Sequence, residues 1–287
     1  MKNTGAFFKS TKSNYACALG TLQGIFESMN TLTLHSTKIH SIPVLEMYPA
    51  LEQQSVLRPL PLVIVFHGFD SSKERKLQNA LAIAQQGFFV VMPDAVRHGE
   101  REDSNFAALT YIQKAESLFD IVSETAAEID SIVQHYSQSS IVDSSRCGLE
   151  GTSMGGMIVY EYLANYGRER IGAAVSIIST PDFGSLIDNS KLQNPEFYQS
   201  YSQSKINRVK GSQPLPQALK LRDFPLLLLN SEDDTIIPIL SVRTFHTALK
   251  HQYTDDRQLR MKTFHDTGHQ TTQSMIRESA EWFRRWL

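Results

Sequence analysis

"RCGLEGTSMGGMIVYEYLANYG", residues 146–167, holds a serine with a glycine two places before it and another two places after. Its first part, through Thr152, reads as a buried strand, and its second part, from Met154, as a helix. A chain that passes from strand to helix within about one residue brings backbone close on both sides, so Gly151 and Gly155 are explained as residues that must be small. Ser153 then stands at the apex of the turn, and the helix N-terminus beyond it favours negative charge. The hexapeptide "GTSMGG" (151–156) is common by itself and also fits a glycine-rich turn without chemistry, so its meaning depends on what surrounds it.

Upstream, "TLTLHS" and "KIHSIPVLEMYP" alternate with period two around a short turn and predict an opening antiparallel pair. "LPLVIVFHGF" and "FFVVMPD" are continuous apolar runs, as strands covered on both faces should be. Between them "KERKLQNALAIAQQG" predicts a helix with Leu77, Leu81 and Ala84 inward and Gly87 as its stop. A long helix is expected over about 113–138, with Ala115, Leu118, Phe119, Val122, Ala126, Ile129 and Val133 on one face. Downstream come a strand at "IGAAVSIIS", a strand at "FPLLLLNSE", a helix near 238–250, a strand at "LRMKTFH" and a terminal helix. Strand and helix alternate, which predicts an α/β protein with a mainly parallel central sheet and helices on both faces.

Residues 181–224 break the alternation. They are too many for an ordinary connection, polar, dotted with aromatics and partly helical, and are expected to form a small cap-like insertion. Residues 1–28 read as an appended or poorly ordered extension, because Lys9, Lys12 and Asn14 interrupt any signal core and Asn14 suits no lipoprotein signal before Cys17. The folded α/β domain is therefore expected over 29–287.

Of 287 residues, 41% are hydrophobic and 20% charged, and the formal net charge is −2. That balance argues against nucleic acid or an anionic membrane as partner. No apolar run reaches the roughly 18 residues of a membrane span. Cys17 and Cys147 make no disulfide framework, which suits a reducing cytoplasm, and Cys147 is expected to be a buried thiol.

A serine hydroxyl needs a base, an acid that orients the base, and donors for an oxyanion. "LLLLNSEDDTIIP" places Asp233 and Asp234 past a strand end, where sites form in parallel sheets. Asp234 is the preferred acid and Asp233 its competitor, and either also suits a helix N-cap. "FHDTGHQTT" offers His265 and His269, of which His269 lies beyond the strand end and is the preferred base. In "FHGFD", Gly68 permits a tight loop and the Phe69 N–H is a candidate oxyanion donor, with the Met154 N–H as its partner. His98 in "VRHGER" either lines the pocket or joins Asp94, Arg97 and Arg101 in a polar loop network.

With "HGF" (67–69), "GTSMGG" (151–156), "SEDDTIIP" (231–238) and "TGH" (267–269) in that order, the chain from about Thr31 onward resembles the α/β-hydrolase superfamily. "HGFDSSKE" followed by "MPDAVRHGERE" is similar to small bacterial esterases of the prolyl-oligopeptidase-like group, the YitV type. The resemblance implies Ser153 as nucleophile, Asp234 as acid and His269 as base, and with no propeller read in residues 1–287 a size-filtering oligopeptidase is not the expectation. The expected function is hydrolysis of a small-molecule carboxylic ester through an acyl-enzyme, with no metal or organic cofactor. An amidase or thioesterase with the same residues, and a non-catalytic ligand-binding protein on this scaffold, are the competing readings. Ser at position 153 instead of Asp disfavours a dehalogenase. Self-association is compatible with all of these.

Overall fold

Parallel sheets bury both faces, and the strand sequences here have the composition that this requires. The computed structural model describes residues 31–50 and 58–287, so the expectations for residues 1–28 and for Cys17 lie outside the described residues. The strands are β1 (Leu32–Ile39), β2 (Ile42–Pro49), β3 (Leu60–Phe66), β4 (Phe89–Pro93), β5 (Val142–Thr152), β6 (Ala173–Ile177), β7 (Leu226–Ser231) and β8 (Leu259–Phe264). The longer helices before the insertion are α1 (Leu77–Ala84), α2 (Leu118–Ala127), α3 (Ile129–Tyr136) and α4 (Met154–Asn165). Then come α5 (Phe183–Gln193), α6 (Pro195–Ser200), α7 (Gln203–Ser212) and α8 (Leu215–Ala218), followed by α9 (Ile239–Lys250) and α10 (Gln273–Trp286).

Among the described residues the strands form one sheet in the order β1-β2-β4-β3-β5-β6-β7-β8. β1 and β2 pair antiparallel, as do β2 and β4, and every other pairing is parallel. The β1–β2 turn falls at His40, which takes a φ of 53°, so Lys38 and Ile39 end β1 rather than opening β2. Every residue of β4, β6 and β7 is buried. Their side chains alternate between two cores: Leu226 and Leu228 face one, Leu227 and Leu229 the other. Helices α2, α3, α4 and α9 supply the first core and α1 and α10 the second.

All seven residues expected on the inner face of the 113–138 helix are buried. The rod itself is divided into a turn at Tyr111–Ala115, then α2, then α3. Ser117 and Glu128 keep near-helical backbone but bond to Lys114 and Thr125 three residues back, and these tightened turns bend the path around the core. The inward face of α1 differs from expectation: Ala80, Ile83 and Ala84 are buried with Asn79, and Leu81 is 43% exposed. A buried carboxylate on β5, Glu150, receives the Asn79 amide at 2.6 Å and so turns a polar residue inward.

The 181–224 segment is more helical than expected. Asp182, Asn194 and Ser202 each cap a new helix by accepting a backbone N–H, and Pro195 begins α6. Phe183, Leu186 and Ile187 of α5 and Tyr201 bury against the first core, with the rings of Phe183 and Phe119 5.2 Å apart. No helix among the described residues is long and apolar enough to cross a membrane.

The phase of α1 is open to measurement. Ile83→Ala is expected to lower the unfolding free energy by roughly 2–5 kcal/mol, and Leu81→Ala by under about 0.5 kcal/mol, in denaturant titrations. Equal losses would restore the other face.

Candidate active site

The reversal of strand order at β3 and β5 opens a crevice at their carboxyl ends, and the site is built there. β5 ends at Thr152 and α4 begins at Met154, so Ser153 alone makes the turn, at φ 56° and ψ −116°. A residue with a side chain holds such a conformation at about 1–3 kcal/mol of strain. Surrounding backbone enforces it. A Cβ at Gly151 would lie 2.1 Å from the carbonyl of Gly155, and one at Gly155 would lie 2.4 Å from the Phe66 oxygen. The Ser153 N–H donates to the Ile177 carbonyl at 2.9 Å, and the Ser153 carbonyl accepts from Met157 N at 3.1 Å and from Ser179 Oγ at 2.8 Å.

The preferred residues of the sequence come together. Ser153 Oγ lies 2.8 Å from His269 Nε2, and His269 Nδ1 lies 2.8 Å from Asp234 Oδ2. The Asp234 side chain is almost fully buried, and its other oxygen accepts from the Ile236 and Ile237 amides at 2.9 Å each. One carboxylate thus both faces His269 and fixes the turn after β7. The N-cap of α9 is Pro238, not either aspartate.

Asp233 points elsewhere. It accepts from Ser231 Oγ at 2.6 Å and from Gly268 N at 3.0 Å, and so ties down the loop that carries His269. The Ser231 hydroxyl first, then the loop amides, hold its carboxyl below the usual range. His265 is exposed just past β8 and is not part of the arrangement.

Across the crevice, a Cβ at Gly68 would stand 3.7 Å from that of Ser153, which puts the Gly68–Phe69 loop beside the serine. Two buried histidines hold this loop. His67 Nε2 accepts the Ala95 N–H at 3.1 Å, which leaves Nδ1 protonated toward the Gly68 carbonyl at 2.7 Å. His98 Nε2 accepts the Asp70 N–H at 3.0 Å, and its Nδ1 faces the Val96 carbonyl at 2.9 Å. Burial, with its partner His98 adding to it, pushes His67 down to about 4, and burial lowers His98 too. His98 therefore belongs to the polar loop network. Arg97 and Arg101 complete that network on Glu124 and Glu128.

Cys147 is fully buried, and burial pushes its thiol up to about 12, so it is inert. Among the described residues no group of three His, Cys, Asp or Glu side chains could hold a metal ion. Ser153, Met154, His269, Gly68 and Phe69 line a cavity of about 870 Å³, together with Leu186, Asn189 and Gln193 of α5 and Phe197 of α6. Sequence reasoning missed the loop-tying role of Asp233 and the two neutral histidines. Only the adjacent positions of His67 and Gly68 hinted at the latter.

Residues 75–287 match the profile of the prolyl oligopeptidase family, Peptidase_S9. The chain is 28% identical over 263 residues to a Bacillus subtilis (strain 168) protein named "Putative esterase YitV", covering 89% of this chain and 100% of that one. It is 28% identical over 213 residues to Esterase YjfP of Escherichia coli (strain K12), covering 72% of this chain and 80% of the other. The crystal structure of TT1662 from Thermus thermophilus superposes with a TM-score of 0.69 at 20% identity, covering 89% of this chain and 98% of that one. The fold is the α/β-hydrolase fold, as expected from the sequence.

The loop histidines tie stability to pH. An unfolded histidine titrates near 6.5, whereas folded His67 titrates at about 4, so between these values the unfolded chain binds the extra proton. The His67 contribution is intact above pH 6.5 and falls by about 1.4 kcal/mol per unit as pH drops toward 4. Unfolding free energies measured across this window should fall less steeply in His67→Gln. An unchanged slope would mean that His67 is not held neutral.

Proposed function

We propose that this enzyme, which belongs to the prolyl oligopeptidase family of serine hydrolases, cleaves carboxylic esters through Ser153, His269 and Asp234. The observation that carries the reading is the unbroken hydrogen-bonded line from Ser153 Oγ through His269 to Asp234 on the wall of the cavity. Asp234 accepts from His269 Nδ1–H, so the Nε2 lone pair faces the serine. In the first step Oγ bonds to the ester carbonyl carbon and its proton moves to Nε2. The Phe69 and Met154 amides, at the loop beside the serine and at the start of α4, receive the oxyanion. Collapse breaks the bond to the alcohol oxygen, which leaves with the proton from Nε2. Water then attacks the acyl-serine, gives its proton to Nε2, and the acid departs as Ser153 is reprotonated. Helices α5 and α6 act as the cap that shapes the acyl or alcohol pocket.

Amides and thioesters pass through the same tetrahedral intermediate, so the line of side chains is neutral between them. The names of the two relatives favour the ester. A ligand-binding protein on this scaffold would need no such alignment.

Ser153→Ala should lower kcat for a short 4-nitrophenyl ester by about 10⁴-fold or more while the circular dichroism spectrum stays unchanged. Retained turnover would remove Ser153 from the reaction. Asp234→Asn is expected to lower kcat by about 10⁴-fold, because an amide facing Nδ1 favours the wrong tautomer. Asp233→Asn should cost about tenfold or less through a looser His269 loop. The reverse order in steady-state assays would make Asp233 the acid.

A further inference from the structure

The cavity around Ser153 carries an uneven charge. Arg75 and Lys76 line it, and among the described residues no aspartate or glutamate does. Leu118, Met157, Leu186, Phe197, Ile236 and Ile237 give it apolar surface. Both cations come from the single turn Lys73–Lys76 that follows the Gly68–Phe69 loop.

Carboxylates near this turn have other partners. Lys73 is turned away onto Asp94 and Glu100, each at 2.7 Å. Glu74 lies 3.1 Å from Lys73 Nζ and accepts from Ser72. Asp70 and Glu102 share a shallow depression with Arg75, but Lys114 bridges them at 3.5 and 2.7 Å. Among the described residues the exposed Arg75 guanidinium forms no ion pair within 4.0 Å.

Lys76 is 6% exposed, and its ammonium donates to Thr152 Oγ1 at 2.8 Å, one residue from the serine. The carboxylate that acts on it electrostatically is the buried Glu150, which accepts from Asn79 and Ser279 and makes no ion pair with Lys76 within 4.0 Å. Burial pushes the Glu150 carboxyl up and the Lys76 ammonium down, each toward its neutral form. A buried cation beside a cavity is stabilised by an anion that enters it.

We propose that Arg75 and Lys76 form an anion subsite and that the substrate is an ester bearing a free carboxylate, such as the half-ester of a dicarboxylic acid. The inference rests on the esterase reading for its chemistry but not for its binding. In it the carboxylate sits against the basic turn, the ester carbonyl reaches Ser153, and the remaining chain lies along the apolar surface. Arg75 is the specificity-determining residue at the outer end, and Lys76 lies at the inner end.

Mono-4-nitrophenyl glutarate and its methyl ester share the scissile 4-nitrophenyl ester and differ at the far end by a carboxylate against a neutral methyl ester, so the ratio of kcat/KM for 4-nitrophenol release reads the subsite. The wild-type enzyme should prefer the anion by tenfold or more. Arg75→Gln should lower that ratio at least tenfold, mainly through KM, and Arg75→Lys should restore most of it. A wild-type ratio near one, or a ratio that Arg75→Gln leaves within twofold, overturns the subsite. Calorimetric binding of both compounds to Ser153→Ala, with and without Arg75→Gln, separates the two claims. If neither ester is hydrolysed, the esterase reading fails, and the subsite stands only if the anion still binds at least tenfold tighter in an Arg75-dependent way. Equal binding of the two compounds overturns it.

Discussion

The backbone of one residue governs the site. Ser153 is held at a positive φ because β5 and α4 meet with no intervening loop, and because Gly151 and Gly155 let the two elements and the end of β3 approach within contact distance. A β-carbon at either glycine would overlap a backbone carbonyl, which cannot move without displacing the sheet. The strain is thus stored in a rigid environment, where it pre-organises the hydroxyl instead of relaxing. The same turn brings Met154, the first residue of α4, to the cavity wall and leaves the serine facing the neighbouring strand ends.

What meets Ser153 there is set by loops, and each loop is pinned by groups outside the reacting line. Asp233 holds the His269 loop through the Gly268 amide, while Asp234 holds His269 itself. His67 and His98, both neutral and buried, fix the Gly68–Asp70 stretch from two sides. Lys76, hydrogen-bonded to Thr152, braces the turn from the cavity wall. On the proposed mechanism these contacts keep the reacting groups in register, and reaction rate depends steeply on such positioning.

Much of this was legible in the sequence, for physical reasons. Strands β3, β4, β6 and β7 are buried on both faces, so their unbroken apolar runs admit few other readings. The glycine pair around Ser153 was readable because close backbone approach tolerates no other residue. The inward face of α1 was not, since "LAIA" offers apolar residues in nearly every phase and the deciding contact is a polar one, Asn79 on Glu150. The long 113–138 helix was legible as a face but not as three pieces, because tightened turns at Ser117 and Glu128 preserve the periodicity. Asp233 and Asp234 are adjacent and chemically identical, and only the direction of each side chain distinguishes them. The basic turn "KERK" resembles a solvated helix start until the cavity beside it is seen.

Covalent capture of the nucleophile tests the central claim most directly. An alkyl fluorophosphonate should add one phosphonyl group to the intact chain, and mass spectrometry of the digested protein should locate it on Ser153. Absence of an adduct, or an adduct on any other residue, would contradict the role assigned to this strained serine.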